Sequence, residues 1–146
     1  AKTNMKRKII ATTIDEKGLS FADEVIDEVG LNDQIETRLE DLRAENTYLD
    51  NSFDVIYARL VLHYLSSQDL DKVLADFHRT LKLDKKLFIV VRSVKNIPSS
   101  DDVIYDENTK MTTIAHYKEN GEIGYLESRY FHTPESICDH LTKTGF

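Results

Sequence analysis

The chain has 146 residues, of which 40% are hydrophobic and 31% charged, and its net charge is −7. That length suffices to enclose a single core, the composition is globular, and no apolar run approaches the roughly 18–20 residues of a membrane-spanning helix. The acidic balance disfavours nucleic acid as a partner, because phosphate binding rests largely on Lys and Arg.

The basic cluster Lys6-Arg7-Lys8 leads directly into Ile9-Ile10-Ala11-Thr12-Thr13-Ile14, which is β-branched and predicts a buried strand ending at Asp15. Gly18 then reads as turn punctuation and Ser20 as the cap of a helix. The apolar face of that helix is Ala22, Val25, Ile26 and Val29, and Gly30 stops it. Ile35 to Leu39 is a shorter, more polar strand of the kind found at a sheet edge.

Phe53 to Ala58 is the third strand. Ser66-Ser67-Gln68-Asp69 has the S-x-x-D/E form that opens a helix, and Leu70, Val73, Leu74, Phe77 and Leu81 mark its apolar face. Leu87 to Val91 is the most apolar strand and reads as a central one. Strands alternating with helices of this length predict βαβ units and a parallel sheet. Residues 94–109 read as an exposed loop. Met111–Tyr117 and Ile123–Phe131 flank Glu119-Asn120-Gly121 as a hairpin, and Thr133-Pro134-Glu135 opens a last helix. The single cysteine, Cys138, points to a reducing, cytoplasmic setting, and its place between Ile137 and Leu141 predicts a buried filler.

Ligands in open parallel sheets sit beyond the carboxyl ends of the strands. Asp15, at such an end, could accept hydrogen bonds from the vicinal hydroxyls of a ribose, or serve simply as a turn residue beside Glu16 and Lys17. Asp41 could accept from an exocyclic amine while Leu42 covers an aromatic ring; alternatively Glu40 and Asp41 are two solvated acids. His63 could act as a base near neutral pH or pack structurally. Arg59 could pair with a ligand carboxylate or with a surface acid. The five histidines and Cys138 make no metal-ligand spacing.

In combination, Asp41-Leu42, Asn51-Ser52-Phe53-Asp54-Val55-Ile56-Tyr57-Ala58, Leu62-His63-Tyr64 and the helix ending Phe77-His78-Arg79-Thr80-Leu81-Lys82 resemble the class I S-adenosylmethionine-dependent methyltransferases of small-molecule type. The resemblance implies an α/β, Rossmann-like three-layer sandwich with a mainly parallel sheet and an antiparallel hairpin near the C-terminus, in one domain over residues 1–146. It implies S-adenosylmethionine as cofactor and a small-molecule acceptor. Asp15, with Glu16 beside it, falls on the ribose position, Asp41 on the adenine amine and Leu42 on the adenine ring. Ala58, Arg59 and His63 fall along the methionine portion and the methyl group, with His63 the candidate base, and the hairpin from Met111 to Phe131 falls where the acceptor is often enclosed.

Two departures stand out. The family's Leu-Lys-Pro-Gly-Gly turn is here Leu81-Lys82-Leu83-Asp84-Lys85, and the family's first strand and glycine-rich loop have no counterpart before Lys8. The expectation is therefore a domain truncated at both ends. The strands of Ile10 and Val55 would pair directly, or another copy or a complementing chain would supply the missing strand. A non-catalytic interaction module derived from this fold, and a nicotinamide-dependent dehydrogenase using Asp15 for its ribose, stand as rival readings.

Overall fold

The computed structural model describes residues 7–99 and 102–146, in two compact units that divide after Asn46. Lys6 of the basic cluster, and Ser100 and Asp101 of the loop, lie outside the described residues.

The first unit is a βαβ motif. Strand β1 (Ile9–Thr13) and strand β2 (Ile35–Leu39) are parallel and in register from Ile9↔Ile35 to Thr13↔Leu39, with helix α1 (Glu16–Glu28) as the crossover. The helix starts one turn earlier than expected. Asp15, not Ser20, is its cap, accepting the Lys17 backbone N–H at 3.1 Å, and Ser20 lies inside the helix, donating its hydroxyl to the Glu16 carbonyl. Gly18 is likewise a helical residue and not a turn. The reason is geometric: a strand-end carboxylate at a tight βα turn already satisfies an orphan N–H, so the helix needs no later cap.

At the far end the expectation holds. Gly30 takes φ +65° and closes a Schellman pair, Leu31 N–H to Ile26 O and Gly30 N–H to Asp27 O, both 3.0 Å. The half-buried stripe of α1 is Leu19, Ala22 and Ile26, while Val25 and Val29 are exposed. β1 is half-buried at Ile9 and Ile10 but exposed at Ala11 and Thr12, so it is not the enclosed strand expected.

The second unit contains a second βαβ motif. Strand β3 (Phe53–Arg59) runs parallel to strand β4 (Leu81–Val90), and helix α2 (Ser67–Thr80) connects them after a 3-10 turn over Leu62–Tyr64. Ser66 caps α2 as the S-x-x-D pattern required, its hydroxyl accepting the Asp69 N–H at 3.1 Å. Leu62, Leu70 and Leu74 are 0% exposed and form the centre of the core with Ala58, Leu65, Val73 and Leu81.

β4 is longer than the apolar run that announced it. The segment where the family carries Pro-Gly-Gly is drawn into the strand as a bulge, and Asp84 takes the left-handed conformation (φ 59°) that glycine would otherwise supply. β4 was expected to be central, yet among the described residues it pairs only with β3, just as β1 pairs only with β2.

The remainder is antiparallel. Strands β5 (Val103–Tyr105), β6 (Thr112–Tyr117) and β7 (Ile123–Arg129) form a three-stranded sheet in that order. The hairpin β6–β7 was anticipated. β5 and a 3-10 turn over Val94–Asn96 replace part of the loop expected over 94–109. Helix α3 (Pro134–Thr144) opens on a capping box between Thr133 and Ser136, with proline in the first turn, and packs against α2. Cys138 is exposed, contrary to the filler role. The half-buried face of α3 is Ser136, Ile137, His140, Leu141 and Thr144, and Cys138 falls outside it.

Candidate functional site

The candidate residues divide between the units. In the first, Asp15 and Asp41 each follow the carboxyl end of a strand of the same parallel pair, β1 and β2 respectively. Asp15 is exposed. Its Oδ1 holds the Lys17 N–H, and its own N–H donates to Thr13 Oγ1 at 3.1 Å. Oδ2 takes no protein hydrogen bond among the described residues. A Cβ at position 18 would stand 2.9 Å from Oδ2, closer than side-chain carbons approach such atoms, so the missing Cβ of Gly18 clears the space the carboxylate occupies. Glu16, the first residue of α1, is exposed beside it.

Asp41 is engaged. Arg43 donates from Nε to both carboxylate oxygens (3.0 and 3.1 Å), from Nη2 to Oδ2 (2.6 Å) and from its backbone N–H to Oδ1 (2.9 Å). These bonds from the Arg43 side chain and backbone hold the Asp41 carboxyl at a pKa of about 2, so it is a carboxylate at any ordinary pH. Leu42 is half-buried.

In the second unit, Ala58 is buried and Arg59 exposed at the end of β3. Leu60 follows in the left-handed region (φ 54°), its N–H held by the Val90 carbonyl at 2.8 Å. The chain then turns inward. His63 is 1% exposed, lies tilted against the Tyr64 ring at 4.4 Å between centroids, and accepts the Tyr130 N–H through its backbone carbonyl at 2.7 Å. Burial, then the charges of Arg129 and Arg92, push the His63 ring pKa down to about 4, so it is neutral at pH 7 and enclosed.

Sequence reasoning missed His132, which is 3% exposed, and the two arginines facing His63. Burial, then His140 and His63, push the His132 pKa down to about 4. Tyr130 touches both His132 (4.0 Å between centroids) and His140 (5.7 Å), which are themselves 6.2 Å apart, and its hydroxyl is 3.1 Å from His140 Nε2. His140 in turn pairs with Asp71 (2.6 Å), which also accepts from Lys143 (2.5 Å). Burial alone would raise the Asp71 carboxyl; the bonds from Lys143 and His140 outweigh it and lower its pKa. Arg92 was legible in principle, since it stands two residues past the end of β4, much as Arg59 stands at the end of β3.

Among the described residues no group of His, Cys, Asp and Glu is arranged to hold a metal, and no helix is long and apolar enough to cross a membrane.

The profile of the methyltransferase domain family matches residues 1–89, and the chain belongs to that family. No curated protein matches the sequence. Among solved structures, the PH0226 protein from Pyrococcus horikoshii OT3 is 15% identical with a TM-score of 0.76, covering 92% of this chain and 63% of its own. An S-adenosylmethionine-dependent methyltransferase from Clostridium acetobutylicum is 16% identical with a TM-score of 0.69, covering 94% and 63%. The [4+2]-cyclase SpnF is 19% identical with a TM-score of 0.63, covering 95% and 42%. The chain thus spans about two fifths to just under two thirds of the length of these relatives. At such identities the likeness is one of fold: mixed α/β, with parallel strand pairs and an antiparallel C-terminal sheet.

Proposed function

We propose that the chain belongs to a cytoplasmic S-adenosylmethionine-dependent methyltransferase acting on a small-molecule acceptor. The observation that supports this best, beside family membership, is Asp15: a carboxylate at a parallel strand end, with one oxygen unclaimed and the neighbouring helix residue reduced to glycine. The residues present fit the cofactor's nucleoside. Asp15 Oδ2 would take the ribose hydroxyls, with Glu16 flanking, while Oδ1 stays on the helix cap and fixes the carboxylate's direction. Asp41 would accept from the adenine amine, its carboxylate held ionised by Arg43, and Leu42 would cover the ring. Ala58 and Arg59 would line the methionine portion.

When bound, the cofactor supplies a methyl group activated by a sulfonium. The chain's task is alignment: holding the acceptor in line with that carbon converts a bimolecular encounter into a local one. His63, enclosed and with its pKa held low, is better suited to a structural or recognition role after β3 than to serving as a general base.

Isothermal titration of the chain with S-adenosylhomocysteine tests the reading. Saturable binding that weakens roughly tenfold or more in Asp15→Ala is expected, the loss of a hydrogen bond to a charged group. Equal affinity in both proteins defeats the ribose assignment. A second reading, an interaction surface completed by another chain, is favoured by the exposed Val55 and Tyr57 on β3 and Phe88 and Val90 on β4. Light scattering that finds only monomer at high concentration, with no change on adding cofactor, counts against self-association.

A further inference from the structure

Three segments of the second unit are fastened together at the carboxyl end of the β3–β4 pair. His63 lies just beyond β3 and Arg92 just beyond β4. The chain leaving β7 joins both, through Tyr130 N–H to His63 O (2.7 Å) and His132 N–H to Arg92 O (2.8 Å). Val94 N–H then returns to His132 O at 3.1 Å. This zipper brings together the backbones that carry His63, Arg92 and His132, with Arg129 next to Tyr130 in the chain. The charges of Arg129 and Arg92, opposed by Glu127, are felt at the His63 ring, and His63 is felt at His132.

Their hydrogen bonding is incomplete. His63 Nδ1, His132 Nε2, Arg92 Nε and Arg129 Nε are all buried without a partner, and the two histidine side chains are more than nine-tenths buried. Two of these four atoms are obligate N–H donors, and each neutral imidazole presents one N–H on either nitrogen. Buried arginine Nε–H groups lacking acceptors are costly unless something supplies oxygen atoms, while the orphaned imidazole nitrogens donate or accept according to tautomer. The charges are unbalanced too. Arg129 is ion-paired with Glu127 and sits over the Tyr64 ring at 5.6 Å, whereas Arg92 makes no ion pair among the described residues. One positive charge is left over, in a chain whose net charge is −7.

We propose that Arg92 and Arg129, with His63 and His132, form a recognition site for a carboxylate carried by the acceptor. A carboxylate matches the planar fork of a guanidinium, supplies acceptors to the orphaned donors, and brings the single negative charge that Arg92 lacks. A phosphate dianion would overshoot that charge. The position agrees with the rule that ligands gather beyond the carboxyl ends of parallel strands. The inference rests on the methyltransferase reading for the word acceptor, but the anion site itself does not require the cofactor.

The test is therefore run without cofactor. Nitrogen–proton correlation spectra of the arginine Nε–H groups are followed as sodium acetate, sodium chloride or sodium phosphate is added to the full chain at constant ionic strength. Acetate should shift the Arg92 and Arg129 signals along a saturating curve that chloride does not reproduce. Arg92→Gln, with an otherwise native amide spectrum, should weaken that curve roughly tenfold or more. Should that variant lose its fold, Arg92→Lys keeps the charge without the fork and should still bind acetate more weakly than the native chain.

Identical linear drifts in acetate and chloride overturn the proposal, as does acetate binding untouched by the Arg92 variants. Saturation by phosphate alone replaces carboxylate as the ligand class. Failure here leaves the Asp15 titration unaffected, and an Asp15→Ala protein should give the same acetate curve, so the two readings fail separately.

Discussion

Gly18→Ala separates stability from binding, because the two should move in opposite directions. Position 18 is inside α1 with ordinary helical backbone, so replacing glycine by alanine should stabilise the helix by about 0.5–1 kcal/mol. The new Cβ, however, would lie 2.9 Å from Asp15 Oδ2 and 3.4 Å from Cγ. The carboxylate must retreat by a few tenths of an ångström or change rotamer, turning away from where a ribose would meet it. Loss of a hydrogen bond to a charged acceptor corresponds to about 1.5–3 kcal/mol, or roughly ten- to a hundredfold in affinity. If the Oδ1–Lys17 cap is lost as well, about 1 kcal/mol of the helix gain is cancelled. Urea unfolding alongside isothermal titration with S-adenosylhomocysteine reads both quantities. The expected pattern is stability unchanged or raised and affinity reduced at least tenfold. Unaltered affinity would refute the view that Gly18 exists to clear the Asp15 carboxylate.

Three further outcomes are expected. Leu74→Ala, at a side chain with 0% exposure, should cost about 3–4 kcal/mol through the cavity it leaves, seen as a lowered urea midpoint; a loss below about 1 kcal/mol would mean the core closes around the gap. His63 and His132 have folded pKa values of about 4 against an ordinary 6.5, so between those limits the unfolded chain takes up protons that the native chain refuses. Stability should fall as pH drops from 6.5 towards 4, by a few kcal/mol on the order expected for such shifts, and thermal midpoints of His132→Gln should show a shallower fall. Arg43→Ala should let the Asp41 carboxyl rise from about 2 towards 3.8, read by a carbon-detected titration, and cofactor affinity should hold or increase; weaker binding would show that Arg43 assists the adenine contact instead of competing with it.

Which features could be seen in the amino-acid order follows from how local their causes are. Ser66 and Thr133 cap their helices with bonds spanning three residues, and both were visible. The start of α1 was not, because Ser20 also has the residue type and place of a cap, and nothing in the order of residues tells that the strand-end carboxylate of Asp15 takes that role first. Cys138 failed for a subtler reason: the stripe of α3 that meets α2 runs through Ile137 and His140, and a single residue's rotation places Cys138 outside it. β5 is three residues long and owes its existence to β6, across pairs such as Val103↔Ile114. The grouping of Arg92, Arg129 and His132 is wholly tertiary. Nothing near Arg92 in the chain announces that its carbonyl will receive the His132 N–H.

Leu60 carries one consequence beyond geometry. A leucine at φ 54° pays a steric penalty on the order of 1 kcal/mol that a glycine would escape, and its neighbours Leu62 and Leu65 are too deeply embedded to let it relax. The bend after β3 is thus fixed by its packed neighbours and not by a ligand. Under the proposed reading, an acceptor meeting that corner would spend none of its binding free energy on organising it, and Leu60→Gly would exchange this readiness for a looser bend.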